Sequence, residues 1–214
     1  MTKKSSAGSP EISNCNSKIF PNLGEAQRRP SSTFDCATAL AVHELLRRRS
    51  FTQGIRKVFD IGWRPTHFLT NISTSVRSVM QPAGPEKGIG IISAGFLKDP
   101  TDPRWQDTTD YKNWLAWMNK YNRSANVADV YAVNGYSAAQ TMVAVLRASG
   151  DNLTRENIMK QAASIDNLKL PMLLPGISVS TSADDFAPIK QMQLMKFDGT
   201  TWEPFGEVIS GSGS

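Results

Sequence analysis

Short apolar runs alternate with helical patterns from residue 52 onward, and this alternation constrains the fold more than any other feature of the sequence. Residues 67–70 (HFLT) and 88–94 (GIGIISA) are brief apolar runs of the kind that form buried strands. Helical patterns occupy residues 52–61 and 73–80, before and between these runs. The order helix, strand, helix, strand predicts an α/β fold.

The second half of the chain continues the same mixture. Residues 98–110 form a loop punctuated by proline, and its acids Asp99, Asp102 and Asp107 are expected to be solvated. Asp198 and Gly199 predict a two-residue hairpin turn. Ser73 and Thr154 are predicted helix N-caps. The predicted helices are residues 111–121, 128–149 and 154–164, and the predicted strands are residues 176–180, 189–197 and 201–205.

Residues 1–50 differ from the rest of the chain in composition and charge. They carry eight Lys and Arg against four Asp and Glu, whereas residues 51–214 carry sixteen against fifteen. The nearly neutral body argues against a nucleic-acid partner. We expect 1–50 to be largely disordered, with a possible short helix at Ala37–Arg49, and 212–214 to be a flexible tail. The folded domain is then residues 51–211.

Motifs for export, catalysis or metal binding are weak. No apolar stretch of signal-peptide length follows Lys3 and Lys4, so we expect no export signal in this chain. Cys36 and His43 are seven residues apart, too far for a nucleophile and its base on one helix, and the cysteines and histidines lack zinc-ligand spacing. The sequence therefore predicts no enzyme, no cofactor and no metal site.

Four blocks of sequence resemble a known family when they are taken together and in order. The first is GIRKVFDIGWRPTHFLTNIS, and the second is KGIGIISAGFLKDPTDPRW, which looks like a crossover between lobes. The third, VYAVNGYSAAQTMVAVLRASGDNLTRENIMKQAAS, resembles a helix pair of an N-terminal lobe. The last begins LPMLLPGISVS and runs to FGEVISG, like the closing strands of a C-terminal lobe. The chain thereby resembles the C-terminal half of a branched-chain amino-acid-binding protein, of the leucine/isoleucine/valine-binding type.

This resemblance implies a partial type 1 periplasmic binding protein fold, which consists of two Rossmann-like lobes, here with the N-terminal portion missing. It implies a periplasmic, non-enzymatic solute-binding component of an ABC importer. Its partners would be the permease subunits and a small ligand, namely a hydrophobic, branched-chain or aromatic amino acid or a related small organic acid. Two alternatives stay open: a ligand-sensing or interaction module of the same fold, and a remnant without function.

The resemblance also indicates where the ligand would bind. In open α/β sheets the loops after the strands leave room for ligands. The loop after HFLT supplies Thr70, Asn71, Ser73 and Ser75, and the start of the long helix supplies Tyr131, Asn134 and Tyr136. The loop TNISTSV carries no carboxylate to balance the ammonium group of an amino acid. The counter-charge would then come from outside this chain, or the ligand would lack a charged amine. An isolated half of the cleft would bind weakly in either case.

Overall fold

Three parallel strands begin a five-stranded mixed sheet. The computed structural model describes residues 41–44 and 48–211, with side chains described from residue 51 onward. Strands β1 (Ala41–Glu44), β2 (Thr66–Leu69) and β3 (Ile92–Gly95) run parallel, and β4 (Gln191–Phe197) and β5 (Trp202–Ser210) add an antiparallel hairpin beside β3. The sheet order is β1-β2-β3-β4-β5. The predicted α/β class is confirmed.

Helix α1 (Arg48–Asp60) makes the crossover between β1 and β2. Phe51, Ile55 and Val58 are buried at helical spacing, so one face of α1 is buried, and Phe51 and Ile55 join a core cluster with Leu69 of β2 and residues that follow it. Gly62 follows the helix with a φ of 73°, the left-handed conformation that ends many helices at glycine. A helical crossover of this kind is what two adjacent parallel strands require.

The amino-terminal end of the described region corrects one prediction. Within the predicted helix Ala37–Arg49, Ala41–Glu44 is a strand and Arg48 already belongs to α1. This segment is rich in alanine and favours a helix, but it pairs with the edge of β2. The backbone hydrogen bonds between two strands outweigh the small free-energy differences of helix propensity. Residues 1–40 and the tail 212–214 lie outside the described residues, so their predicted disorder stays a prediction.

The segment between β2 and β3 is helical but irregular. It contains a 3-10 turn (Asn71–Ser73), a π-helical turn (Val76–Met80) that continues as the short helix α2 (Gln81–Ala83), and a second 3-10 turn (Pro85–Gly88). The N-cap is Ser75, whose Oγ accepts a hydrogen bond from the Ser78 amide at 3.2 Å, so the prediction of Ser73 as the cap is wrong.

The strand predicted at 88–94 also needs correction, since β3 begins only at Ile92. Gly88 closes the preceding 3-10 turn, and Gly90 has a φ of 90°, a conformation that interrupts an extended strand. The strand is therefore shorter than its apolar run.

Four helices follow β3: α3 (Pro103–Gln106), α4 (Thr109–Tyr121), α5 (Val130–Ser149) and α6 (Arg155–Ala162). Each begins after a residue whose side chain accepts a hydrogen bond from the first turn: Asp102, Thr108, Asp129 and Thr154. The cap predicted at Thr154 is confirmed. The loop predicted over 98–110 is interrupted by α3, for which Asp102 is the cap and Pro103 the first helical residue.

The stretch from residue 163 to β4 is mostly irregular. The strand predicted at 176–180 is reduced to isolated bridges, in which Val179 pairs with both Leu168 and Ile189. Leu173, Ile177 and Val179 are buried there, so the apolar pattern marks a small core cluster instead of a strand. β5 continues to Ser210, beyond the predicted end at residue 205.

Two larger clusters form the rest of the described core. One lies between α1, the β2–β3 segment and the closing hairpin, and includes Phe51, Val79, Met80 and Phe197. The other joins α4 and α5 through Trp114, Met118, Val133 and Met172. None of the described helices is long and apolar enough to cross a membrane.

Candidate ligand-binding cavity

A cavity of about 170 Å³ lies at the carboxyl ends of the parallel strands β2 and β3. Asn71, Ile72 and Thr74 follow β2, while Phe96, Leu97 and Asp99 follow β3. This edge is where an open α/β sheet leaves room for a ligand. Helix α5 closes another side with residues of its first turns, and the β4–β5 hairpin supplies the floor.

The walls of the cavity are largely apolar. Trp202 and Met195 come from the hairpin and are 5% and 8% exposed. The indole N–H of Trp202 donates to the Thr74 carbonyl at 2.7 Å, so this ring is fixed with its polar atom satisfied. Further apolar lining residues are Ile72, Phe96, Leu97, Trp105, Val130, Leu174 and Pro204.

Asp99 places a carboxylate in this lining. Its Oδ1 accepts hydrogen bonds from the amide and the hydroxyl of Thr101, at 2.8 Å and 2.7 Å. No described residue donates to its other oxygen, Oδ2. Burial is the main cause that raises the pKa of Asp99 above its ordinary value, and the charges of Asp102 and Asp129 raise it further.

A second carboxylate of the lining, Asp102, is already neutralised. It is 4% exposed and binds the Arg104 guanidinium through both oxygens, with the shortest distance 2.6 Å from Nη2 to Oδ2. Arg104 also donates to the Trp202 carbonyl at 2.6 Å, which ties α3 to the hairpin. The expectation that Asp102 is solvated is therefore wrong, whereas Asp107 of the same loop is fully exposed.

Three of the predicted site residues line the cavity: Asn71, Tyr131 and Asn134. The Tyr131 hydroxyl donates to the Ile72 carbonyl and thereby links α5 to the loop after β2. The Asn134 side chain forms no hydrogen bond with the residues described, and Asn71 has only a long 3.5 Å contact from the Thr70 hydroxyl to its Oδ1. Both amides are thus available to a ligand.

The other four predicted site residues do not line the cavity. Thr70 precedes it, and Ser73 is fully buried with an Oγ that has no hydrogen-bond partner among described residues. Ser75 caps the π-helical turn. Tyr136 lies on the opposite face of α5 from Asn134, where its ring packs on Trp117 at 5.2 Å between centroids and borders a separate surface groove.

The described lining contains no serine, cysteine or histidine, and its hydroxyl and carboxyl groups come from Thr74, Tyr131, Asp99 and Asp102. No group of three or more His, Cys, Asp and Glu between residues 51 and 211 is arranged to hold a metal ion. Apolar walls, one carboxylate oxygen without a described donor and two available amides are features typical of a site that binds a small molecule.

The chain belongs to the periplasmic binding protein family, whose model matches residues 47–201. This is a family of solute-binding proteins, not of enzymes, and the resemblance drawn from the four sequence blocks is confirmed. Among curated proteins, none has a sequence that matches this chain.

Solved structures of low sequence identity share the fold. A branched-chain amino acid ABC transporter protein from Thermus thermophilus with bound valine matches with a TM-score of 0.68 and 15% identity, over 82% of this chain and 47% of that one. A substrate-binding periplasmic protein from Ralstonia solanacearum gives 0.64 and 15%, over 81% and 46%. LivJ from Streptococcus pneumoniae in complex with isoleucine gives 0.55 and 16%, over 80% and 44%. The chain spans less than half the length of these structures, so its fold is a partial one.

Proposed function

We propose that this chain contributes the substrate-binding surface of an ABC importer for small hydrophobic, branched-chain or aromatic amino acids or related small acids. The observation that carries the proposal is the cavity at the carboxyl ends of β2 and β3, which joins an apolar wall to unpaired polar groups. Family membership supports a solute-binding role, a periplasmic location and the permease as partner.

The size of the cavity supports a small ligand. A volume of about 170 Å³ is close to the roughly 150 Å³ of an apolar cavity that holds one benzene molecule. Trp105, Trp202 and Leu174 provide flat and branched apolar surface on its walls. A leucine, valine or phenylalanine side chain matches this space, and two of the similar structures hold valine and isoleucine.

The polar groups support a ligand with a hydrogen-bonding head group. Asn71 and Asn134 come from two different elements, the loop after β2 and the first turns of α5, and both line the cavity. An amide N–H₂ donates two hydrogen bonds, which suits the carboxylate of an amino acid or a small organic acid. We assign the carboxylate end of the ligand to these two side chains.

Titration of leucine, valine, phenylalanine and benzoate into the protein by calorimetry tests this proposal. We expect at least one of these ligands to bind, and Asn71→Ala and Asn134→Ala each to weaken that binding about five- to tenfold, since each removes a hydrogen bond to a charged group. Asn119→Ala is the matched control, because Asn119 is an exposed amide on α4 outside the cavity. Absence of binding by all four ligands, or equal binding to all variants, would contradict the proposed site.

A further inference from the structure

We infer that Asp99 is the counter-charge for a protonated amine on the ligand, which assigns the cavity to amino acids in preference to simple organic acids. This inference rests on the proposed function and narrows its substrate class. The loop after β2 has no carboxylate, but the loop after β3 brings one to the same cavity. An ammonium group buried without an anion would be costly, and Asp99 supplies the anion from within this chain.

The hydrogen bonds of Asp99 leave one oxygen for the ligand. Thr101 holds Oδ1 through two hydrogen bonds, at 2.8 Å from its amide and 2.7 Å from its hydroxyl. This fixes the orientation of the carboxylate while Oδ2 has no donor among residues of the described region. A charge-assisted hydrogen bond from an ammonium group satisfies that oxygen.

The charges of the lining favour a cation at this point. Asp102 and Arg104 neutralise each other in a bidentate pair, so the lining carries one net negative charge, on Asp99. Asp129, at the start of α5, is close enough to Asp99 to disfavour its ionisation, and it adds a further negative charge beside the cavity. Lys98, the adjacent cation, does not line the cavity: it donates to Asp110 at 3.0 Å and to the Pro171 carbonyl at 2.6 Å, and its Nζ lies 5.4 Å from the ring centroid of Trp105.

These positions predict a zwitterionic ligand held at two ends. The ammonium group binds Asp99 Oδ2, the carboxylate binds the amides of Asn71 and Asn134, and the side chain lies against Trp105 and Trp202. A simple acid of the same shape would bring only a negative charge to a negatively charged lining. It would further desolvate Asp99 without giving its Oδ2 a donor, which costs affinity.

A comparison of phenylalanine with 3-phenylpropionate tests the assignment, because the two ligands differ only by the amine. Affinities are measured by calorimetry at pH 7 for the wild type, Asp99→Asn and Asp107→Asn. Asp99→Asn keeps an Oδ1 that accepts both hydrogen bonds from Thr101, and it removes the negative charge. Asp107→Asn removes a fully exposed carboxylate of the same loop and serves as the matched control.

We expect the wild type and Asp107→Asn to bind phenylalanine about tenfold or more tightly than 3-phenylpropionate, and Asp99→Asn to abolish this preference. Equal or tighter binding of 3-phenylpropionate by the wild type would overturn the inference and leave the proposed function intact. If phenylalanine, 3-phenylpropionate, leucine and valine all fail to bind, the inference and the proposed function are both overturned. A preference for phenylalanine that persists in Asp99→Asn would also overturn the inference.

Discussion

The Ser78 hydroxyl donates a 2.6 Å hydrogen bond to Asp129 Oδ2, across 51 positions of sequence. The other carboxylate oxygen, Oδ1, accepts from the Ser75 hydroxyl at 3.1 Å and from the Tyr131 amide at 3.2 Å. One side chain therefore caps α5 and holds the segment after β2 against it. These are the two elements that supply Asn71 and Asn134 to the cavity, so Asp129 sets their relative position.

Asp129→Ala is expected to lower the free energy of unfolding by about 2–3 kcal/mol, because it removes an N-cap and leaves two serine hydroxyls without their acceptor. Urea denaturation followed by circular dichroism measures the change. Asp129→Asn keeps the Oδ1 acceptor for the cap and should lose only part of this free energy. An equal loss in both variants would show that the cap contributes little and that the Ser78 hydrogen bond to Oδ2 and the negative charge stabilise the junction.

Gly95→Ala is expected to reshape the cavity more than it destabilises the fold. A Cβ on Gly95 would lie 1.9 Å from Met195 Cε, the end of a flexible side chain that also lines the cavity. Met195 has to move, which limits the stability loss to about 1–2 kcal/mol and takes space from the ligand. We expect ligand affinity to fall and the double variant Gly95→Ala/Met195→Leu, which lacks the clashing methyl group, to recover part of it.

Gly135→Ala is the control for that substitution. Gly135 lies inside α5, and apart from its chain neighbours and the nearby backbone of this helix nothing lies within 4 Å of the position that a Cβ on this residue would occupy. Alanine should therefore raise the free energy of unfolding by about 0.5–1 kcal/mol and leave binding unchanged. Equal ligand affinity in the wild type and Gly95→Ala would show that Met195 does not border the bound ligand.

The raised pKa of Asp99 predicts how stability depends on pH. Burial raises the folded-state pKa above the unfolded value, so in the interval between these two values the folded state binds more protons. The Asp99 contribution to the free energy of unfolding therefore rises as the pH falls through this interval. Asp102 and Asp129 contribute to the shift, and Thr101 opposes it through its hydrogen bonds.

We accordingly expect Asp99→Asn to be more stable than the wild type at pH 7, with the difference shrinking as the pH falls and Asp99 becomes protonated. Urea denaturation of both proteins from pH 7 to about pH 4 measures this difference, and Asp107→Asn provides the exposed-carboxylate control. A difference between the wild type and Asp99→Asn that does not change with pH would contradict a buried, ionised Asp99.

The sequence predicted the class of fold and the edge of the sheet where the cavity lies, because both depend on local patterns. The apolar runs before Thr70 and Gly95 are close enough to the true strands to place the loops after them. Only one of those two loops was interpreted as a binding loop. The same rule, applied to the loop after β3, selects Asp99 as a binding residue. The loop composition predicts a solvated carboxylate at this position instead.

Other features depend on contacts that no local pattern contains. Trp202 and Met195 reach the cavity from a hairpin about 100 residues after β3, and strand β1 forms because β2 offers it an edge. The position of the helix cap also depends on tertiary contacts. Ser75, not Ser73, is the cap because its hydroxyl also reaches Asp129. Such long-range pairings override residue propensity.

The five tryptophans offer the most direct test of the central claim, that the cavity between β2, β3 and the hairpin binds the solute. Trp105 and Trp202 line it, whereas Trp117 borders the separate groove on α4 and α5 and Trp114 lies in the core of those helices. Their indole N–H signals are resolved by ¹H–¹⁵N NMR, which detects even millimolar binding. Titration with phenylalanine and leucine should shift the Trp105 and Trp202 signals in a saturable manner and leave Trp63, Trp114 and Trp117 unchanged. No saturable shift, or a shift confined to Trp117, would contradict the account.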